Sequence, residues 1–361
     1  MRKHTNNLEI CRGKLVYSSN RSQSTITTTN NQSIVMTRKF FIALGLLCLS
    51  SVASFAQNKR TVLSATIDGY KRDMVYFDCV QSPFIRQEFH ANPGEEHVYA
   101  FDTDRLVAMI VNGRTTVLLM PGDSLHVDIQ YQGKQVKELK FSGSKQAVAD
   151  NELYAAVAAY KRSIRYKSQL LACAVVDVKP ADRINDSKKL LDQTRQLIAQ
   201  SKGKVADDVV NYVSAESEGL AYTSFVEYPP MYEETRKQPI GEQGVGDYWK
   251  LMDGTKLRGD MASLSCPDYC SFLLLNMAYT KSKQAHEKGE TYQRPDKIED
   301  MFEQLAAFYS GAHRDAVLYS IITNYIQGGK DIERVEPLIK QFKEKYCVDK
   351  RHAEIIDAIM Q

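Results

Sequence analysis

The chain has 361 residues, 43% apolar and 25% charged, which is the composition of an ordinary globular protein and excludes a disordered chain, a collagen-like repeat and a multi-span membrane protein. The formal net charge of +3 arises in the first 56 residues, which carry seven Lys/Arg and one Glu. Residues 57–361 hold 40 basic and 43 acidic side chains, so the body of the chain lacks the basic footprint of a general nucleic-acid binder.

Residues 1–35 are rich in Ser, Thr and Asn, as in Thr27-Thr28-Thr29-Asn30-Asn31, and read as a disordered leader or a start assigned too early, with Met36 the true start. Residues 36–56 read as a secretory signal peptide. Arg38 and Lys39 form its basic region, Phe40–Leu49 its apolar run, and Ser54-Phe55-Ala56 its small-residue cleavage site. The apolar run is too short to cross a bilayer as a helix. The expected location is the periplasm or cell envelope, with no transmembrane segment left after cleavage. Export removes Cys11 and Cys48 and leaves Cys79, Cys173, Cys266, Cys270 and Cys347. An odd set this sparse is not a disulfide scaffold, and buried core thiols are expected.

Residues 60–143 predict a β domain. Eight short runs rich in Val, Ile, Tyr and Phe lie at Thr61–Asp68, Met74–Cys79, Ile85–His90, His97–Asp102, Val107–Val111, Thr115–Met120, Ser124–Tyr131 and Glu138–Ser142. Turn residues separate them, so an antiparallel sandwich or barrel is expected. Asn112-Gly113 has the sequence of a type I′ hairpin turn. Leu125, Val127 and Ile129 alternate with polar neighbours and predict one buried face.

Residues 144–361 predict an all-helical domain, giving an α+β protein. Helical spacing runs over Ala147–Cys173, Asp182–Ser201, Val205–Phe225, Pro267–His286, Pro295–Tyr309, His313–Ile326, Asp331–Tyr346 and Lys350–Met360. Between Tyr222 and Asp253 the Pro- and Gly-rich sequence predicts an irregular connector.

Three groups of residues are candidates for chemistry. Cys266 and Cys270 flank Pro267-Asp268-Tyr269. Their separation is one residue longer than a redox pair and strained for an intrahelical disulfide, so core packing is the favoured reading. His90, His97 and His126, with Asp102, Asp123 and Asp128, fall in the β region, and a solvated sheet face accounts for His126 without a metal. Tyr228, Tyr232, Tyr248 and Trp249 on the connector form a candidate surface for a partner or ligand. No catalytic, metal-binding or cofactor-binding residue is assigned.

Met120-Pro121-Gly122-Asp123-Ser124-Leu125-His126-Val127, then Phe141-Ser142-Gly143-Ser144, then Asp150-Asn151-Glu152-Leu153, all behind a signal peptide, resemble the DUF4369 domain of exported Bacteroidetes proteins. The segments around Ser265–Phe272 and Gly311–Leu318 look like the helical part of the same proteins. In those proteins a thioredoxin-like domain follows, related to alkyl hydroperoxide reductase and to TlpA/ResA-type oxidoreductases, with a Trp-Cys-x-x-Cys motif. Here the one tryptophan, Trp249, precedes Lys250-Leu251, and no Cys-x-x-Cys occurs. The resemblance therefore implies a non-catalytic binding or accessory module of the envelope with a protein partner. The alternative is a fragment or redox-less relative of a thiol-disulfide oxidoreductase.

Overall fold

A computed structural model describes residues 59–82, 86–92, 94–164, 178–329 and 332–361. The leader, the signal segment, Ile85 and Cys173 lie outside them. The chain divides into Met1–Ser54 and Phe55–Gln361, and every described residue belongs to the second unit.

Eight strands come first: β1 Lys59–Asp68, β2 Met74–Cys79, β3 Arg86–His90, β4 Glu96–Thr103, β5 Val107–Val111, β6 Thr115–Leu119, β7 Ser124–Gln132 and β8 Gln135–Gly143. They form two four-stranded sheets with orders β4-β1-β7-β8 and β3-β2-β5-β6. The Asn112-Gly113 turn joins β5 to β6 with φ of 53° and 64°, the left-handed pair a type I′ turn requires. All pairings are antiparallel except β1 with β7, which run parallel. The chain crosses through the whole second sheet between those two strands, and a parallel pair needs such a long connection.

The inner faces of the two sheets meet in one core. Leu63, Ala65 and Ile67 of β1 and Leu125, Val127 and Ile129 of β7 pack against Val75, Phe77, Met109 and Val117. The second sheet is also covered on its outer face. Leu106, Ala108 and Leu118 belong to the helical core, among residues such as Tyr212, Phe272 and Leu273. Sandwich and helices are therefore welded through a sheet buried on both sides.

The helices are α1 Lys145–Ser163, α2 Pro180–Gln200, α3 Asp207–Val226, α4 Tyr228–Arg236, α5 Met261–Leu264, α6 Pro267–Glu287, α7 Ile298–Phe308, α8 Gly311–Gln327, α9 Glu336–Gln341 and α10 Lys350–Ile359, with a π-helical turn at Phe342–Tyr346. Helix α4 corrects the expectation of an irregular connector. Pro229 and Pro230 occupy its first turn, where proline's missing N–H is not needed and its fixed φ suits the helix.

The residues quoted for the family resemblance fasten α1 to the sandwich. Asp123 accepts from the Met120 N–H at 2.7 Å and from the Ser144 hydroxyl at 3.4 Å. Asp150 accepts from the Ala206 N–H at 2.8 Å, linking α1 to the start of α3. Asn151, 1% exposed, accepts from the Leu118 N–H and donates to the Leu118 C=O, both at 2.8 Å. A side-chain amide thus stands in for the strand that edge strand β6 lacks. Asn151→Ala is expected to destabilise the fold by about 2 kcal/mol, since it orphans two buried backbone groups. Equal denaturation midpoints for variant and wild type would refute this role.

Candidate functional site

A cleft of about 1050 Å³ lies between the sandwich mouth and α8 and α10, at the upper end of small-molecule sites, which run to about 1,000 Å³. Strand β4 is an edge strand, and nothing in its sheet closes the sandwich beyond it. Tyr99 and Phe101 on β4, stacked at 5.1 Å, therefore remain half-buried and form one wall with Met109. Leu264 and Ala316 supply the helical wall. Met261 and Val348 on the rim are 54% and 64% exposed, two of the four large apolar side chains most open to solvent among the described residues.

The polar side of the cleft is built by the start of α10 and its neighbours. Arg105, just after β4, pairs with Asp104 at 3.1 Å and with Asp349, the N-cap of α10. Arg351 pairs with Asp104. Burial pushes the Asp349 carboxyl up, but the Arg105 hydrogen bond and the nearby positive charge outweigh it and hold that carboxyl below its ordinary value.

Asp315 of α8, 2% exposed, organises the remainder. Its Oδ2 accepts from the Val348 N–H at 2.9 Å and the Asp349 N–H at 2.5 Å, and its Oδ1 lies 2.9 Å from His352 Nδ1. The His352 ring stacks on Tyr319 at 4.0 Å and 12°. Tyr319 in turn donates to the Gln81 carbonyl at 3.1 Å. Both torsions of the imidazole are thereby fixed. His352 Nε2 has no protein partner among the described residues, and the residue lines the cleft.

Of the residues singled out from the sequence, Asp102 and Cys270 line the cleft and the others lie elsewhere. Tyr228 and Tyr248 are 4% and 7% exposed. Tyr228 donates to the Val178 carbonyl at 2.8 Å, and Tyr248 to the Val226 carbonyl at 2.7 Å, so both pin the connector onto the helices. Trp249 is half-buried and stacks on His286 at 4.7 Å. Tyr232 is also half-buried, packed beside Tyr228. Cys266 and Cys270 are buried free thiols. Burial raises both, Cys270 to about 12, which leaves little thiolate for nucleophilic or redox chemistry. Cys270 lines the cleft and donates to the Leu264 carbonyl at 3.0 Å.

The β-domain histidines do not converge. His97 is 3% exposed and lies against Phe89 inside the sandwich. His126 sits on the outer face, 2.7 Å from the Ser64 hydroxyl and 3.0 Å from Glu96. Among the described residues no group of three or more His, Cys, Asp or Glu is placed to hold a metal ion, and no helix is long and apolar enough to cross a membrane.

Asp315 and His352 carry no local sequence signal that marks a site. Asp315 was legible only as part of a helix start, and His352 stands 37 residues further on with no spacing that ties it to a carboxylate. Comparison of the chain with protein-family models, with curated proteins and with solved structures finds no match.

Proposed function

We propose that this chain is a non-catalytic binding module of the cell envelope, and that the cleft between sandwich and helices is its recognition site. The carrying observation is the cleft itself: a large concave space, mainly apolar, with two exposed apolar residues on its rim and one fixed, unpartnered imidazole nitrogen on its wall. Such a combination of apolar lining with few oriented polar groups is what ligand sites offer. The signal-peptide pattern of residues 36–56 supports export, and the DUF4369-like motifs support the accessory role. The alternative, a redox-less relative or fragment of a thiol-disulfide oxidoreductase, draws on the same motifs, but the buried, up-shifted Cys266 and Cys270 thiols favour packing.

Nile red, a neutral apolar dye, tests the cleft. The full-length wild-type chain is expected to bind it with a blue-shifted, enhanced emission. Met261→Glu combined with Val348→Glu is expected to weaken that binding at least tenfold, because it puts two charges on the rim at exposed positions where folding tolerates them. Absence of dye binding, or identical binding by the double variant, would overturn the assignment.

A further inference from the structure

We infer that the cleft selects neutral amphiphiles whose polar end carries a hydrogen-bond donor, such as a hydroxyl or an amide, and that His352 Nε2 receives that donor. The inference rests on the cleft being the binding site and adds the ligand's chemical class.

The hydrogen bonds around Asp315 fix the tautomer of neutral His352. Asp315 is an acceptor on both oxygens, with Oδ2 taken by two backbone N–H groups and Oδ1 facing His352 Nδ1. The Nδ1 therefore carries a proton, and in the neutral ring Nε2 presents a lone pair. Asp315 is almost wholly buried and the ring is clamped on Tyr319, so this acceptor is held in place before any ligand arrives. Preorganisation of that kind saves the ligand the ordering cost of binding.

Charge then decides between headgroups. Four carboxylates and three cations line the cleft. Both guanidiniums are already engaged, Arg105 by Asp104 and Asp349, and Arg351 by Asp104. The third cation, Lys350, is exposed at the rim. A fatty carboxylate would meet a lone pair and an acidic excess with no free guanidinium to receive it. A hydroxyl meets an acceptor. The aromatic and aliphatic wall of Tyr99, Phe101, Met109 and Leu264 accommodates the apolar chain, each buried methylene of which adds about 0.8 kcal/mol.

The test uses 1-monolauroylglycerol and laurate at pH 8, each below its aggregation limit, as competitors for Nile red on the full-length chain. Monolauroylglycerol is expected to bind at least tenfold more tightly than laurate. His352→Phe keeps the ring stack and removes the acceptor, so it is expected to abolish the difference. Asp315→Asn supplies the same acceptor to the backbone N–H groups but turns an amide N–H toward Nδ1. The proton then moves to Nε2, which becomes a donor, and the preference is expected to reverse toward laurate. A change in stability alone would not reverse a preference. If wild type binds neither the dye nor either lipid, the reading of the cleft itself fails. If the dye and both lipids bind with equal affinity, if laurate binds wild type better, or if neither variant alters the ratio, the role of His352 is overturned while the cleft assignment stands.

Discussion

Lys161→Met is expected to lower the unfolding free energy by about 4 kcal/mol, as when one partner of a buried ion pair is removed and its charge is stranded. Glu216, 7% exposed on α3, receives the Lys161 ammonium at 2.7 Å and the Tyr154 hydroxyl at 2.6 Å. The two charged side chains are only 17% and 9% exposed, so water cannot replace the lost counter-charge. A second carboxylate, Asp268, stands close by at the start of α6, and burial followed by the charge on Glu216 pushes its pKa up to about 7. The methionine variant would leave both carboxylates without the ammonium.

Glu216→Gln added to Lys161→Met is expected to recover more than half of the loss, because the amide oxygen still accepts from Tyr154 and no stranded charge remains. Chemical denaturation of the four proteins of this cycle measures it. Additive losses would show that the pair is not coupled. The pH dependence has a definite sign. The folded-state pKa of Asp268 lies above the unfolded value of about 3.9, so the stability this group contributes is present at low pH and is lost as pH rises from about 4 to about 7. Asp268→Asn is expected to flatten that part of the profile.

Gly219→Val is expected to cost about 3 kcal/mol, the overpacking penalty of a close helix contact. Gly219 is buried in the middle of α3, where glycine is otherwise unfavourable by about 1 kcal/mol against alanine. Its reason is the crossing of α6. A Cβ at this position would lie 2.5 Å from the Asp268 carbonyl carbon and 2.6 Å from the Tyr269 nitrogen. Both are backbone atoms, so the helices would have to separate. Separation would also disturb the Lys161–Glu216 group, since Glu216 lies one turn before Gly219 on the same helix. Gly219→Ala is expected to lose stability too, although less. An alanine variant as stable as wild type would mean that helix propensity outweighs the contact and that the crossing is loose.

Much of this architecture was legible locally. Strand limits and turns followed from side-chain alternation and from residues that tolerate positive φ, and the Asn112-Gly113 turn has both angles in the left-handed region. Helix starts at Pro180, Pro267 and Gly311 lie within two residues of the predicted ones. These features depend on interactions within a few residues, which a sequence window contains. The first turn of α4 was also written in the chain, at Tyr228-Pro229-Pro230, but the same dipeptide suits a loop as well as a helix start.

Non-local contacts made the remaining choices. Val117-Leu118-Leu119 breaks strand alternation because β6 is buried on both faces. That run signals a doubly covered strand, but it does not say what covers it. The parallel pairing of β1 with β7 joins segments more than fifty residues apart. Asp150 and Asn151 read as part of a family motif, yet their work is to tie α1 to α3 and to the edge of β6. The cleft has no sequence signature, since it exists only where the free edge of β4 faces α8 and α10. The Asp315–His352 pair joins two helices at 2.9 Å across 37 residues. Propensity, turn chemistry and periodicity act within a few residues and therefore set the elements and their order. Which elements cover one another, and which nitrogen is left without a partner, depends on surfaces that meet only when the whole chain packs.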